Sequence, residues 1–358
     1  MIGKMKAQVF YSAKEMKLEE RDIPQISDIE VLVKIKAVGI CGSDISYYYG
    51  HSPLGTADGK GPLVLGHEMS GEVVEIGSVP KNLGLFEIGD RVTINPVMQC
   101  NSCPDCLNGQ FNVCPNSTVP GVTVDGGFAE YCKANYTHVH KIPDNVSFID
   151  GALTEPLACA TYAVKKADIG LGQTVVIYGP GGIGLMMAQL AKSVGAGRVI
   201  LVGVMDYPLE QGLKLGVDHV INSLDAKSPH YASDVAAKVK ELSGNLAERC
   251  IVATNHMAAL QDALRVTGNG STIVYFGLPG PDDVLKVDAL EALNADRTLK
   301  FSWLAPGVWD TVLKATATGK VSFGDIITHK FSLEDLEKGI TFMSESPEDK
   351  IKGIVVLD

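Results

Sequence analysis

The chain has 358 residues, 46% of them hydrophobic and 20% charged, which is enough apolar material for a large core and excludes a disordered chain. At roughly 150 residues per domain this length predicts two domains. Acidic side chains number 42 against 31 basic ones, a formal charge of -11, and no window concentrates Lys and Arg, so a nucleic-acid partner is not expected.

The first residues, Met1 to Lys6, carry no long apolar run with a small-residue cleavage site. No export signal is expected, and the chain reads as cytoplasmic. Period-two alternation with β-branched residues predicts strands over 7–11 and 30–38, with further short strands at 71–77 and 91–94. This first part is β-rich and irregular. From about residue 152 strands and helices alternate: strand 174–178, helix 183–194, strand 198–204, helix 209–215, strand 220–221, helix 234–243, then strands 249–252 and 272–276. That order predicts a doubly wound parallel sheet with its ligand at the carboxyl ends of the strands. The pattern is mixed again from about 296 and ends in an apolar strand over 353–357. Residues 169–191 carry no charge and are long enough to span a bilayer, but Gly-Pro-Gly-Gly at their centre breaks any single helix. A strand, a glycine turn and a helix fit better, so no membrane partner is expected.

Eight cysteines, at 41, 100, 103, 106, 114, 132, 159 and 250, raise metal or catalytic use above disulfides in a chain without an export signal. Cys100, Cys103, Cys106 and Cys114 fall in one short, turn-rich segment. Four thiolates at this spacing suit a closed structural zinc site, with an iron-sulfur cluster or four unrelated thiols as the alternatives.

Gly179-Pro180-Gly181-Gly182-Ile183-Gly184 follows an apolar strand and precedes a helix, the context that gives G-x-G-x-x-G its meaning as a dinucleotide-binding turn. The acid commonly found at the end of the next strand is missing. Gly203 stands in its place and Asp206 follows three residues later, while residues 203–210 contain no Arg or Lys for an extra phosphate. NAD is therefore preferred over NADP, with an ordinary solvated acid as the other reading of Asp206.

Gly39-Ile40-Cys41-Gly42-Ser43-Asp44 and Gly66-His67-Glu68 place metal-binding side chains beside small residues. Together with the cysteine lobe, the glycine turn, Glu155-Pro156 and the segment 327–331, they resemble the zinc-dependent medium-chain dehydrogenase/reductase family of alcohol dehydrogenases, and within it the polyol (sorbitol-like) branch. The resemblance covers essentially the whole chain. It implies an α/β protein with a GroES-like β-rich catalytic domain, residues 1–152 and 296–358, carrying two zinc sites, and a Rossmann domain over 153–295. It also implies that Cys41 and His67 hold a catalytic zinc with Glu68 or Glu155 as the carboxylate ligand, and that Ser43 begins a proton relay; Asp44 is read as orienting the site or pairing with a cation. Cys132, Cys159 and Cys250 are then core thiols.

The implied activity is hydride transfer between NAD(P) and a secondary alcohol or ketone, a polyol or sugar derivative, in a homodimer or homotetramer. A threonine-type amino-alcohol dehydrogenase and a simple secondary-alcohol dehydrogenase are the alternatives, and a cofactor-binding protein without turnover is the alternative of another class. Two departures stand out. Ser46 occupies the position of the histidine that continues the relay in alcohol dehydrogenases, and Ser302 follows Phe301 where sorbitol-type enzymes carry Arg. Tyr47, Tyr48 and Tyr49 could supply substrate hydroxyl contacts or belong to core and surface.

Overall fold

The structure is a computed structural model that describes residues 1–52, 61–346 and 349–358. The chain forms two compact units: residues 1–156, 309–317 and 327–358 make the first, and residues 157–308 and 318–326 the second.

In the first unit, the strand Glu30–Gly39 lies inside a seven-stranded sheet, paired antiparallel with Glu68–Ile76, Tyr131–Asn135 and Lys352–Val356. The alternation in Val31-Leu32-Val33-Lys34-Ile35-Lys36 reflects this placement, with Val31, Leu32, Val33 and Ile35 fully buried. A smaller sheet pairs Lys4–Ser12 with Glu15–Asp22 and Leu63–Val64. Phe128, Leu65, Met69 and Ile94 fill the core beside these strands.

The second unit holds six strands, all parallel, in the order His219–Asn222, Arg198–Gly203, Thr174–Tyr178, Ala247–Val252, Thr267–Tyr275 and Thr298–Phe301. Numbered within the unit this is 3-2-1-4-5-6, the doubly wound dinucleotide-binding order, with the strand order reversing beside Thr174–Tyr178. All five residues of that strand are buried, as expected for a strand covered on both faces.

Three boundaries differ from the sequence expectation, the first being that the opening segment of the first unit runs to residue 156 and not 152, which places Glu155 in it. Residues 298–301 form the sixth parallel strand, so the return to the first unit comes after residue 308 and not at 296. Residues 318–326 also belong to the second unit, where the Gln189 side chain donates to the Ser322 carbonyl (3.1 Å) and accepts its N–H (2.8 Å). Both links depend on partners far away in sequence. Among the described residues no helix is long and apolar enough to cross a membrane.

Candidate active site

Cys41 ends the turn after the strand Glu30–Gly39 and directly precedes the helix Gly42–Tyr48; His67 directly precedes the strand Glu68–Ile76. Antiparallel pairing sets Gly39 opposite Glu68 and so brings the two loops together. The absence of a side chain at Gly39 is required, since a Cβ there would lie 1.9 Å from Glu68 Oε2. Ligand atoms of Cys41, His67 and Glu68 lie within 4.8 Å of one another.

Asp44, fully buried, ties the two loops through its carboxylate, which accepts the N–H of Cys41 at 2.8 Å and of Gly66 at 3.3 Å. Its Oδ1 is 3.7 Å from His67 Nδ1, too far for a hydrogen bond, and that nitrogen is buried with no partner among the described residues. Burial opposes a charged imidazole, yet the nearby Cys41, Asp44 and Glu155 outweigh it and raise the His67 pKa well above its ordinary value. A thiol, an imidazole with an orphaned nitrogen and carboxylates in one buried, anion-rich space form a donor set that fits a divalent cation. Glu68 is partly compensated from within the chain: Lys352 Nζ lies 2.7 Å from each of its oxygens.

Glu155 lies in the first turn of the helix Thr154–Ala167, 8% exposed. It acts on His67 electrostatically but falls outside the three-residue cluster. Ser43, two residues beyond Cys41, is half-buried. The hydroxyls of Tyr48 and Tyr49 are committed to Glu337 and Glu345, and burial together with Glu337 pushes the Tyr48 pKa up to about 12. Tyr48 and Tyr49 thus pack against the helix Leu336–Glu345. Ser302 is buried, with its hydroxyl unpartnered among the described residues.

In the cysteine lobe the Sγ atoms of Cys100 and Cys106 are 4.0 Å apart and those of Cys103 and Cys114 3.8 Å. A disulfide would bring two sulfurs to about 2 Å. A tetrahedron with zinc–sulfur bonds of about 2.3 Å has edges of about 3.8 Å, which matches the spacing found. Backbone N–H groups of Cys100, Cys103 and Cys106 point at the sulfurs of Cys114, Cys100 and Cys103 at 3.3–3.4 Å. Donors from Ser102 hold the Cys100 thiol down to about 5, whereas burial pushes the Cys106 thiol up to about 12. Cys132, Cys159 and Cys250 are all buried, and burial pushes Cys132 up to about 12.

In the second unit the glycine turn leaves Thr174–Tyr178 at the strand-order reversal. Gly179 has φ +95°, and a Cβ at Gly184 would lie 1.8 Å from the Gly179 carbonyl oxygen, so the helix Gly182–Ser193 packs as close as backbone allows. Gly181 caps that helix without a side-chain acceptor, and a Cβ there would stand in open space. The free N–H groups of the first turn around Gly182, Ile183 and Gly184 and the open cradle over Gly181 fit a pyrophosphate.

Two family descriptions match the chain: alcohol dehydrogenase GroES-like domain over residues 27–144 and zinc-binding dehydrogenase over 182–318. Sorbitol dehydrogenase of Bacillus subtilis (strain 168) is 32% identical, the match covering 95% of each chain. An Escherichia coli CFT073 protein described as a short chain alcohol dehydrogenase and solved with NADH superimposes with TM-score 0.88 at 28% identity over 99% of each chain. A Sinorhizobium meliloti 1021 protein assigned as a zinc-binding dehydrogenase and solved with NADP does so with TM-score 0.89 at 27% identity, over 99% of this chain and 100% of that one. The chain belongs to the zinc-type medium-chain alcohol dehydrogenases, in their polyol dehydrogenase-like branch. It is an oxidoreductase acting on alcohols.

Proposed function

We propose that the enzyme is zinc-dependent and transfers a hydride between a nicotinamide cofactor, NAD in preference to NADP, and a secondary alcohol or ketone, a polyol or sugar derivative. The observation that carries this reading is the convergence of the half-buried Cys41 with the buried His67 and Glu68 on one point. Those three side chains would hold the catalytic ion, with Glu155 in reserve as an alternative carboxylate, and Cys100, Cys103, Cys106 and Cys114 would hold a second, structural zinc. When bound, zinc supplies a Lewis acid that lowers the pKa of the substrate hydroxyl, and the nicotinamide ring supplies the hydride acceptor.

The chain's own residues position and moderate that chemistry. Asp44 fixes the loops that carry Cys41 and His67 through two backbone N–H groups. Lys352 offsets the charge of Glu68, which lowers the anionic excess of the site without removing a donor. Ser43 takes the hydroxyl proton toward solvent, with Ser46 in place of a relay histidine. The turn Gly179 to Gly184 presents backbone N–H groups to the pyrophosphate, and Gly203 with Asp206 borders the adenosine side. The domain roles follow: the first unit carries both metal sites and the second the dinucleotide.

The polarity around the substrate favours a second reading. Near Cys41 the hydroxyls of Tyr48 and Tyr49 are tied to carboxylates, which suits a simple secondary alcohol better than a substrate with many hydroxyls. Polyols, sugar phosphates, amino alcohols and simple secondary alcohols, assayed by nicotinamide absorbance, separate these readings. Turnover of a polyol at the highest kcat/KM supports the first, and of a simple secondary alcohol the second.

A further inference from the structure

The end of the strand Arg198–Gly203 is unusual in where it places its charge. A Cβ at Gly203 would lie 2.5 Å from Pro180 Cγ and 2.8 Å from its Cδ, and the proline ring cannot swing away. Pro180 of the glycine turn therefore fills the space that an acid at 203 would need. The next carboxylate along the chain is Asp206, the first residue of the helix Asp206–Lys214.

That carboxylate is gripped from one side. Asn222 Nδ2 donates to Asp206 Oδ1 at 2.7 Å and Ser228 Oγ donates to the same oxygen at 2.6 Å. The direction of both bonds is fixed. The buried Asn222 uses its own Oδ1 to accept the N–H groups of Leu224 (3.0 Å) and Asp225 (2.9 Å), so only its amide nitrogen remains for Asp206. The Ser228 hydroxyl accepts the N–H of His230 at 3.0 Å, which turns its proton toward Asp206. Asn222 is paired in register with Gly203, so the whole arrangement stands at the carboxyl ends of two adjacent parallel strands. Asp206 is partly exposed and its Oδ2 makes no hydrogen bond among the described residues. The Ser228 and Asn222 bonds hold the carboxyl below the usual carboxylate range and so keep it charged.

We infer that Ser228 and Asn222 are positioning residues for nucleotide selection: they hold the Asp206 carboxylate so that its second oxygen accepts a ribose hydroxyl of the adenosine half, and its charge disfavours a phosphate there. Ribose recognition thus moves from position 203 to a carboxylate braced by the loop 222–231, a segment that no acid-at-strand-end rule points to. A carboxylate held in place accepts a hydroxyl proton as a charge-assisted bond, and it repels a phosphate across the same short gap.

The inference rests on the reading of this unit as the dinucleotide site, and the test separates the two. NADH and NADPH are titrated separately into the zinc-loaded enzyme, without substrate, and followed by nucleotide fluorescence. Asp206→Asn keeps the shape and an oxygen acceptor for Ser228 and Asn222 while removing the charge. It is expected to weaken NADH about tenfold, the scale of one good hydrogen bond, and to leave NADPH unchanged or tighter. Ser228→Ala is expected to weaken NADH a few-fold with little effect on NADPH, and Ser228→Thr, which keeps the hydroxyl, to restore it. NADH and NADPH moving by the same factor in Asp206→Asn and Ser228→Ala, or not moving, overturns the inference and leaves the dinucleotide reading intact. A wild-type enzyme that binds neither nucleotide overturns the dinucleotide reading, and with it this inference.

Discussion

Lys352 Nζ sits 2.7 Å from both carboxylate oxygens of Glu68, across 284 residues of sequence, with the carboxylate fully buried and the lysine 9% exposed. Charge on Glu68 is tolerable there because Lys352 supplies its opposite. In the zinc-free protein Lys352→Met leaves a buried carboxylate uncompensated and is expected to destabilise the fold by about 3–5 kcal/mol, the usual cost of breaking a buried pair from one side. The double variant Glu68→Leu/Lys352→Met is expected to recover most of that loss. Urea denaturation of the three proteins checks this, and a double variant no more stable than Lys352→Met contradicts it.

Asp44 accepts backbone N–H groups from both ligand loops, so Asp44→Ala is expected to loosen Cys41 and His67 together. Loss of such supporting bonds typically weakens metal affinity about 10–100-fold. Competition with a graded series of chelators should show one of two zinc ions becoming labile, while the ion assigned to Cys100, Cys103, Cys106 and Cys114 stays bound.

Gly184→Ala places a methyl group 1.8 Å from the Gly179 carbonyl oxygen, where neither backbone can yield cheaply. The helix is expected to move off the strand, spoiling the approach of its N-terminus to the pyrophosphate. NADH titration should show at least a tenfold loss of affinity, with zinc content unchanged.

His138 gives the pH dependence. It is 3% exposed, with Nδ1 2.9 Å from Thr137 Oγ1 and Nε2 2.8 Å from Gln99 Oε1. Burial lowers its pKa to about 4. A folded-state pKa below the unfolded value of about 6.5 gives stability that is complete above pH 6.5 and lost as pH falls toward 4, about 3 kcal/mol across the window. Denaturation midpoints measured from pH 7 to 4 should fall more gently in His138→Gln than in the parent.

The legibility of this protein in its sequence follows the range of each interaction. The turn Gly179 to Gly184 and the four lobe cysteines could be read because a phosphate cradle and a small tetrahedral site need their groups within a few residues of one another. Cys41 and His67 were recognisable because each stands in a local cluster, although their convergence depends on the pairing of Gly39 with Glu68. Lys352 left no local signal, being an unremarked lysine at the start of an apolar strand. The same holds for Ser228 and Asn222, whose roles exist only because a loop folds back onto Asp206. Residues 298–301 show too short and too mixed a pattern to declare a strand, and they become one by pairing with Thr267–Tyr275.

Zinc stoichiometry of the purified enzyme and of Cys41→Ser tests the central claim most directly. The account predicts two zinc ions per chain in the parent and one in Cys41→Ser, with NADH binding retained and alcohol oxidation abolished. An unchanged zinc count in Cys41→Ser, with alcohol oxidation intact, would contradict it.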